Sequence, residues 1–201
     1  MSYQSPYSLE FRVFGAPRLL LNQHDVPFRR RQPLAIMAVL ALSERAVTRD
    51  ELTYLLWPDS PQVVGRQRLR RSLSQLRQLV GSLANQLLTG QAGIGSDVIR
   101  FNASMCRVDA HEFMRLSGQA RTLPDPEGLR AADQAAQLYA GPLLSGLELD
   151  ESPEFEHWLI QQRARFERMI LEVWQRLVDG YANTGDVDRA IAAVEHALVL
   201  D

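Results

Sequence analysis

The sequence contains no lysine, and its 22 basic residues are all arginine. It contains a single cysteine, Cys106, so no disulfide can form within the chain and an oxidising compartment is not indicated. The longest apolar run, LAIMAVLAL at 34–42, is too short to span a bilayer. Three arginines precede this run, but no small-residue cleavage site follows it, so a signal peptide is not indicated. We therefore expect a cytoplasmic protein that does not associate with membranes.

The sequence also lacks recognisable catalytic and metal-binding motifs. Its four histidines are scattered without the spacing of metal ligands, and a single cysteine excludes a zinc signature. No serine, cysteine or pair of carboxylates stands in a familiar catalytic arrangement. The glycine-containing segment GQAGIGSD at 90–97 lacks the strand–loop–helix context of a nucleotide-binding loop. We predict no enzyme activity, no cofactor and no metal.

The formal net charge of −2 conceals an uneven distribution of charge along the chain. Residues 1–102 hold 13 arginines and 7 acidic residues, a balance of +6. Residues 103–201 hold 9 arginines and 17 acidic residues, a balance of −8. This asymmetry indicates two modules, and the basic one favours a polyanion such as nucleic acid.

The basic half has the element order of a winged helix. Weak apolar alternation over 9–28 predicts a short antiparallel sheet, and a helix follows over 33–43. The stretch TRDE at 48–51 is a capping box that opens a second helix, and apolar spacing predicts a third over 62–80. Strand-like segments in 87–101 complete a hairpin with a flexible tip. The order predicts an α+β winged helix-turn-helix with an added N-terminal sheet.

The third helix has one apolar stripe, formed by Leu69, Leu73, Leu76 and Val80. A helix that enters the major groove needs such a stripe to seat it and long donors on the opposite side to reach bases and phosphates. The candidate DNA-binding residues of this helix are Arg66, Gln67, Arg70, Arg71, Ser74, Gln75, Arg77 and Gln78.

Three further arginines have weaker indications. Arg100 in the second wing strand and Arg31 before the first helix are candidate phosphate contacts. Arg68 borders the apolar stripe, so it is the arginine of this helix that we expect to pair with an acidic side chain instead. The alternative for the whole helix is an amphipathic helix whose arginines face only water.

After about residue 105 the pattern becomes all-helical. Apolar spacing predicts helices near 109–121, 126–139, 153–183 and 187–200, and Ser152 is the expected cap of the long one.

The end of the chain has the spacing of a tetratricopeptide repeat, which has a period of about 34 residues. The matching residues are Trp174, Leu177, Tyr181, Gly185, Ala190, Val194 and Ala197. The proline that usually closes such a unit would follow Asp201 directly, so we expect the chain to be cut from a longer protein.

Two sets of segments resemble one family. LLWPD at 55–59 and RQRLRRSLSQLRQLVG at 66–81 resemble the DNA-binding domain of the Streptomyces antibiotic regulatory proteins. VDAHEF at 108–113, LYAGPLLSG at 138–146 and WLIQQRARFERM at 158–169 resemble the bacterial transcriptional activator domain of the same family.

The resemblance implies a fold and a function. It implies an OmpR-type winged helix in residues 1–105 and a tetratricopeptide-like helical domain in residues 106–201. Members of the family bind direct repeats upstream of promoters and recruit RNA polymerase. The expected partners are thus double-stranded DNA, RNA polymerase and a second copy of the chain on DNA.

We accordingly predict a sequence-specific DNA-binding transcriptional regulator that acts as an activator. One alternative is a protein-interaction or effector-sensing module in which the winged helix is a scaffold. A second is an ATPase fragment, although no Walker signature is present.

Overall fold

The structure, a computed structural model, describes residues 8–90, 97–150 and 152–198. An α+β part comes first and a helical part follows, as the element order predicts. The elements of the first part are β1 (Leu9–Arg12), β2 (Arg18–Leu21), β3 (His24–Asp25), α1 (Arg31–Leu42), β4 (Val47–Thr48), α2 (Arg49–Leu56), α3 (Gln62–Val80), α4 (Ala84–Leu87), β5 (Leu88–Thr89) and β6 (Val98–Phe101). Those of the second part are β7 (Arg107–Val108), α5 (Asp109–Thr122), α6 (Glu127–Leu138), α7 (Pro153–Thr184) and α8 (Val187–Leu198).

The N-terminal sheet confirms the alternation seen in the sequence. β1 pairs antiparallel with β2, and β2 pairs antiparallel with β3. Leu9, Phe11 and Leu19 are buried, because alternate side chains of a strand point to the same face of the sheet. This face packs on the core that α1 also enters.

The predicted capping box at the start of α2 is present. The Glu51 N–H donates to the Thr48 hydroxyl at 3.0 Å, and the Thr48 N–H donates to the Glu51 carboxylate at 2.7 Å. Hydrogen bonds from Arg45 and then from Thr48 lower the pKa of Glu51 to about 2. The start of α2 is therefore fixed by local contacts that the sequence encodes directly.

The predicted hairpin after α3 is part of a three-stranded sheet in the order β4-β6-β5. The antiparallel pair β5–β6 is the predicted one, and β4 adds a strand that periodicity did not indicate, with Val47 opposite Ile99. Most of the predicted wing tip, residues 91–96, lies outside the described residues.

The four helices of the second part begin and end within two residues of their predicted positions where they are described. The prediction that Ser152 caps α7 with its side chain is wrong. Ser152 is 3% exposed, and its hydroxyl donates to the carbonyl of Leu56 at the end of α2. That carbonyl has no partner within its own helix, so the serine satisfies a group of the other part.

A shared core joins the two parts. β7 pairs in parallel with β1, and Phe14 just beyond β1 contacts three aromatic rings of the helical part. The centroid distances are 5.2 Å to Phe113, 4.9 Å to Tyr139 and 5.4 Å to Phe166. The expected boundary between residues 105 and 106 thus lies just before β7 and next to this shared core.

Asp109 fixes the same junction with a buried carboxylate. It accepts hydrogen bonds from the backbone N–H groups of Val13 and Phe14, at 2.9 and 3.2 Å, and from that of Ala110 at 2.8 Å. Burial raises the pKa of Asp109 to about 6, although these donors favour the charged form. The end of β1 is thereby tied to the start of α5.

Among the described residues we find no helix with the length and apolarity that a membrane span requires.

Candidate nucleic-acid interface

Helix α3 is seated by the apolar stripe that the sequence predicts. Leu69, Leu73, Leu76 and Val80 are each at most 3% exposed. They pack in the core of the winged helix, so the opposite side of α3 faces solvent.

Gly65 allows α3 to approach α2 closely, a role that periodicity gave no reason to expect. A Cβ atom at this position would lie 2.2 Å from the Cγ2 atom of Thr53. The Thr53 side chain is held in place because its hydroxyl donates to the carbonyl of Arg49 at 2.7 Å. Gly65 therefore sets the distance between the two helices of the helix-turn-helix.

The outer side of α3 carries the donors that direct readout of DNA requires. Seven of the eight residues predicted on this helix are exposed, and Gln75 is half-buried. Arg70, Arg71 and Arg77 make no ion pair with any residue in the described part of the chain. Their guanidinium groups are free to bind an external anion.

Arg66 is different, because it is held by two carboxylates. It donates two hydrogen bonds to Asp50, at 2.9 Å each, and lies 3.2 Å from Asp97. Arg49 is 2.6 Å from the same Asp97. The hydrogen bonds from Arg66 lower the pKa of Asp50. Arg66 therefore connects α2, α3 and the residue before β6, and it braces the wing against α3.

A hollow of about 260 Å³ lies between the start of α1 and the flank of α3. Arg30, Arg68 and Arg71 line it, and no acidic residue of the described chain does. Arg68 donates to the hydroxyl of Ser60 at 3.2 Å, so it does not form the ion pair that we expected. The three guanidinium groups give this hollow a positive lining that suits a phosphate, while Glu148 and Asp150 line the adjoining hollow that Arg30 also borders. Arg30 belongs to the run RRR at 29–31 before the first helix, of which Arg31 was the named candidate.

The last two candidates lie in different surroundings. Arg31 donates to the backbone carbonyl of Glu148 in the helical part at 3.0 Å. Arg100 is exposed on β6 opposite Thr89, while its neighbour Ile99 is buried. The structure therefore places Arg100 on the outer surface of the wing, and Arg31 at the contact between the two parts.

The comparisons with known proteins agree with this architecture. A family model for the bacterial transcriptional activator domain matches residues 108–201. The fold is similar to that of Mycobacterium tuberculosis EmbR, solved in complex with a low-affinity phosphopeptide, with a TM-score of 0.62 and 17% sequence identity. The match covers 95% of this chain and 59% of the EmbR chain, so this chain spans about three fifths of the length of EmbR. A search of curated proteins found no match.

The family match covers the helical part alone, whereas the structural match covers both parts of the chain. The family model identifies the helical part, and the likeness to EmbR shows a winged helix followed by a tetratricopeptide-like helical domain. Residues 108–201 carry a bacterial transcriptional activator domain, in agreement with the resemblance of the chain to the Streptomyces antibiotic regulatory proteins.

Proposed function

We propose that the protein is a transcriptional regulator that binds double-stranded DNA sequence-specifically, with α3 in the major groove. The observation that carries the proposal is the two-sided build of α3. A buried leucine stripe fixes its orientation, and unpaired arginines and glutamines cover its outer side. Arginine forks onto guanine and glutamine pairs with adenine, so this face has the chemistry of base readout. Arg100 on the wing and the arginine-lined hollow supply phosphate contacts on either side.

We further propose that the protein is an activator that binds promoter-proximal direct repeats and recruits RNA polymerase, with two copies side by side on DNA. The family resemblance supports this proposal. Selection of bound sequences from random duplex DNA tests it. We expect direct repeats spaced by about one helical turn, roughly 10–11 base pairs. Inverted repeats would contradict the same-direction arrangement.

Arg70→Ala tests the recognition face itself. Arg70 is exposed near the middle of α3, so its loss should weaken binding to the selected site by ~1–3 kcal/mol. The matched control is Arg130→Ala, because Arg130 is an exposed arginine on α6 in the other part. Mobility shifts should weaken for the first variant and stay unchanged for the second. Equal affinities for both variants would place the recognition face elsewhere.

The salt dependence of binding separates this function from the scaffold alternative. Each arginine–phosphate contact should reduce the logarithm of the binding constant by about 0.9 per tenfold increase in salt. If the protein binds no DNA duplex at low salt but does bind a protein partner, that result would favour the alternative, an interaction module in which the winged helix is a scaffold.

A further inference from the structure

Val63 is an apolar side chain near the N-terminal end of α3 that the fold leaves open to solvent. It is 81% exposed, the highest fraction for any large apolar side chain among the described residues. Valine is also a poorer helix former than alanine, so neither burial nor helix propensity favours it at this position. Single exposed apolar residues are common on protein surfaces, so the meaning of this one depends on where it points.

Val63 points to the side of α3 that carries the candidate base-reading residues. Successive residues of an α-helix are about 100° apart, so Val63 shares one strip with Gln67, Arg70 and Ser74, at steps of four, three and four residues. Gly65, which faces Thr53 of α2, lies about 160° away from it around the helix axis. Val63 is thus the apolar member of a strip whose other members are hydrogen-bonding side chains.

The first turns of α3 are fixed by contacts with α2 and with the base of the wing. Gly65 lets the backbone of α3 approach Thr53 closely. One turn later than Gln62, Arg66 donates to Asp50 at 2.9 Å and lies 3.2 Å from Asp97. The Val63 side chain is itself stiff, because a β-branched residue has one strongly preferred rotamer in a helix. An apolar contact made by this side chain therefore costs little conformational entropy.

The chemistry of the major groove indicates what an exposed valine meets there. Every base pair presents hydrogen-bonding groups at its edge, and thymine also presents its C5 methyl group. Arginine and glutamine recognise the hydrogen-bonding groups, whereas the methyl group is recognised by apolar contact. In helix-turn-helix proteins, residues in the N-terminal part of the recognition helix contact the base edges. Val63 combines that position with the apolar surface that a thymine methyl group requires.

We propose that Val63 is a specificity-determining residue that packs its γ-methyl groups against the C5 methyl group of a thymine in the major groove. The proposal rests on the DNA-binding function proposed above and adds the base that this part of α3 selects. The turn of α3 from Val63 to Gln67 advances about 6 Å, nearly two base-pair steps of about 3.4 Å. The thymine therefore lies within about two base pairs of the base that Gln67 contacts.

Replacement of thymine by uracil tests this contact, because uracil pairs with adenine in the same way and lacks only the C5 methyl group. The duplex is the site selected from random DNA, prepared in versions that each carry uracil at one thymine position. Affinity is measured by titration in mobility shifts. We expect one of these replacements to weaken binding by the unchanged protein about 2- to 5-fold, the effect of one buried methyl group.

Val63→Ala tests which residue contacts the methyl group. The site is exposed and alanine favours a helix, so the variant should melt at the same temperature as the unchanged protein or higher. It should bind the thymine duplex about 2- to 5-fold more weakly than the unchanged protein, and it should bind the uracil duplex as tightly as the thymine duplex. The matched control is Val64→Ala, which removes the same atoms about 100° further round the helix and should keep the full uracil effect.

The proposal is overturned if the selected site contains no thymine, if no replacement by uracil weakens binding, or if the uracil effect is equal in Val63→Ala and the unchanged protein. Loss of the uracil effect in Val64→Ala as well would also overturn it, since the contact would then not belong to Val63. Failure of the underlying DNA-binding function gives a different result, because the unmodified duplex would then not be bound at all.

Discussion

The junction between the two parts and the outer side of α3 differ in how their polar groups are satisfied. At the junction, Asp109 and Ser152 are buried and find their partners within the chain. On the outer side of α3, Arg70 and Arg71 are exposed and lack an acidic partner among the described residues. Buried paired groups fix geometry, whereas exposed unpaired cations bind polyanions. Substitutions at the junction should therefore change stability, and substitutions on the outer side of α3 should change DNA binding.

Phe14→Ala should have the largest effect on stability. The ring is 4% exposed and contacts three aromatic rings of the helical part, so its removal leaves a cavity at the junction. We expect the free energy of unfolding to fall by about 3–5 kcal/mol, measured by urea denaturation. Below its melting temperature the variant should bind the selected DNA site normally. A loss under 1 kcal/mol would mean that the two parts do not depend on this shared core.

Asp109→Asn should change how stability depends on pH. Burial raises the pKa of Asp109 from about 4 when unfolded to about 6 when folded, so folding favours the protonated form. The contribution of Asp109 to stability is complete below pH 4 and is lost as the pH rises through 6. Relative to Asp109→Asn, the unchanged protein should lose about 2 kcal/mol of unfolding free energy between pH 4 and pH 7.

Urea denaturation at several pH values measures this difference, because the other titrating groups cancel between the two proteins. The opposite trend would mean that the three backbone donors outweigh the burial of the carboxylate. In that case the junction would be held by the charged form.

Gly65→Ala tests a residue that affects both the stability of the fold and the position of α3. The added methyl group would clash with Thr53, so we expect a loss of about 1–3 kcal/mol of unfolding free energy despite the better helix propensity of alanine. The clash should also move α3, and DNA affinity should fall with stability. We expect denaturation to show the loss of stability and mobility shifts to show a matching loss of DNA affinity. Unchanged stability would show that α2 and α3 separate at no cost.

Arg66→Gln should have the smallest effect of the four. The side chain is 43% exposed and its ion pairs are exposed to solvent, so the melting temperature should not change measurably. DNA affinity should fall less than for Arg70→Ala, because Arg66 braces the wing and its donors are already used. A larger loss than for Arg70→Ala would mean that Arg66 leaves Asp50 and contacts DNA directly.

The extent of α3 and its buried side could be predicted because both follow from local apolar spacing. The capping box at Thr48 and Glu51 is equally local, since both partners lie within one turn. β4 and β7 are two residues long, and such short strands have no measurable alternation. They exist only because distant segments, β6 and β1, lie beside them.

The partners of individual polar groups could not be predicted for the same reason. Whether an arginine of α3 is free depends on where Asp50 and Asp97 come to lie, and Asp97 is 31 positions beyond Arg66 in the chain. Leu144 has a left-handed backbone with φ 52°, a conformation that sequence would assign to glycine or asparagine. It is held there because its N–H donates to the carbonyl of Val13 at 2.7 Å.

The parallel pairing of β7 with β1 has a consequence for exchanging parts between regulators. The winged-helix part begins in this sheet at β1, and the chain returns to the sheet at β7, so the two ends of that part lie side by side. A hybrid regulator joined at residue 105 would give the helical part a foreign partner strand, and the N–H groups that Asp109 requires would have to come from that strand. A graft that keeps residues 8–14 with the helical part would preserve both.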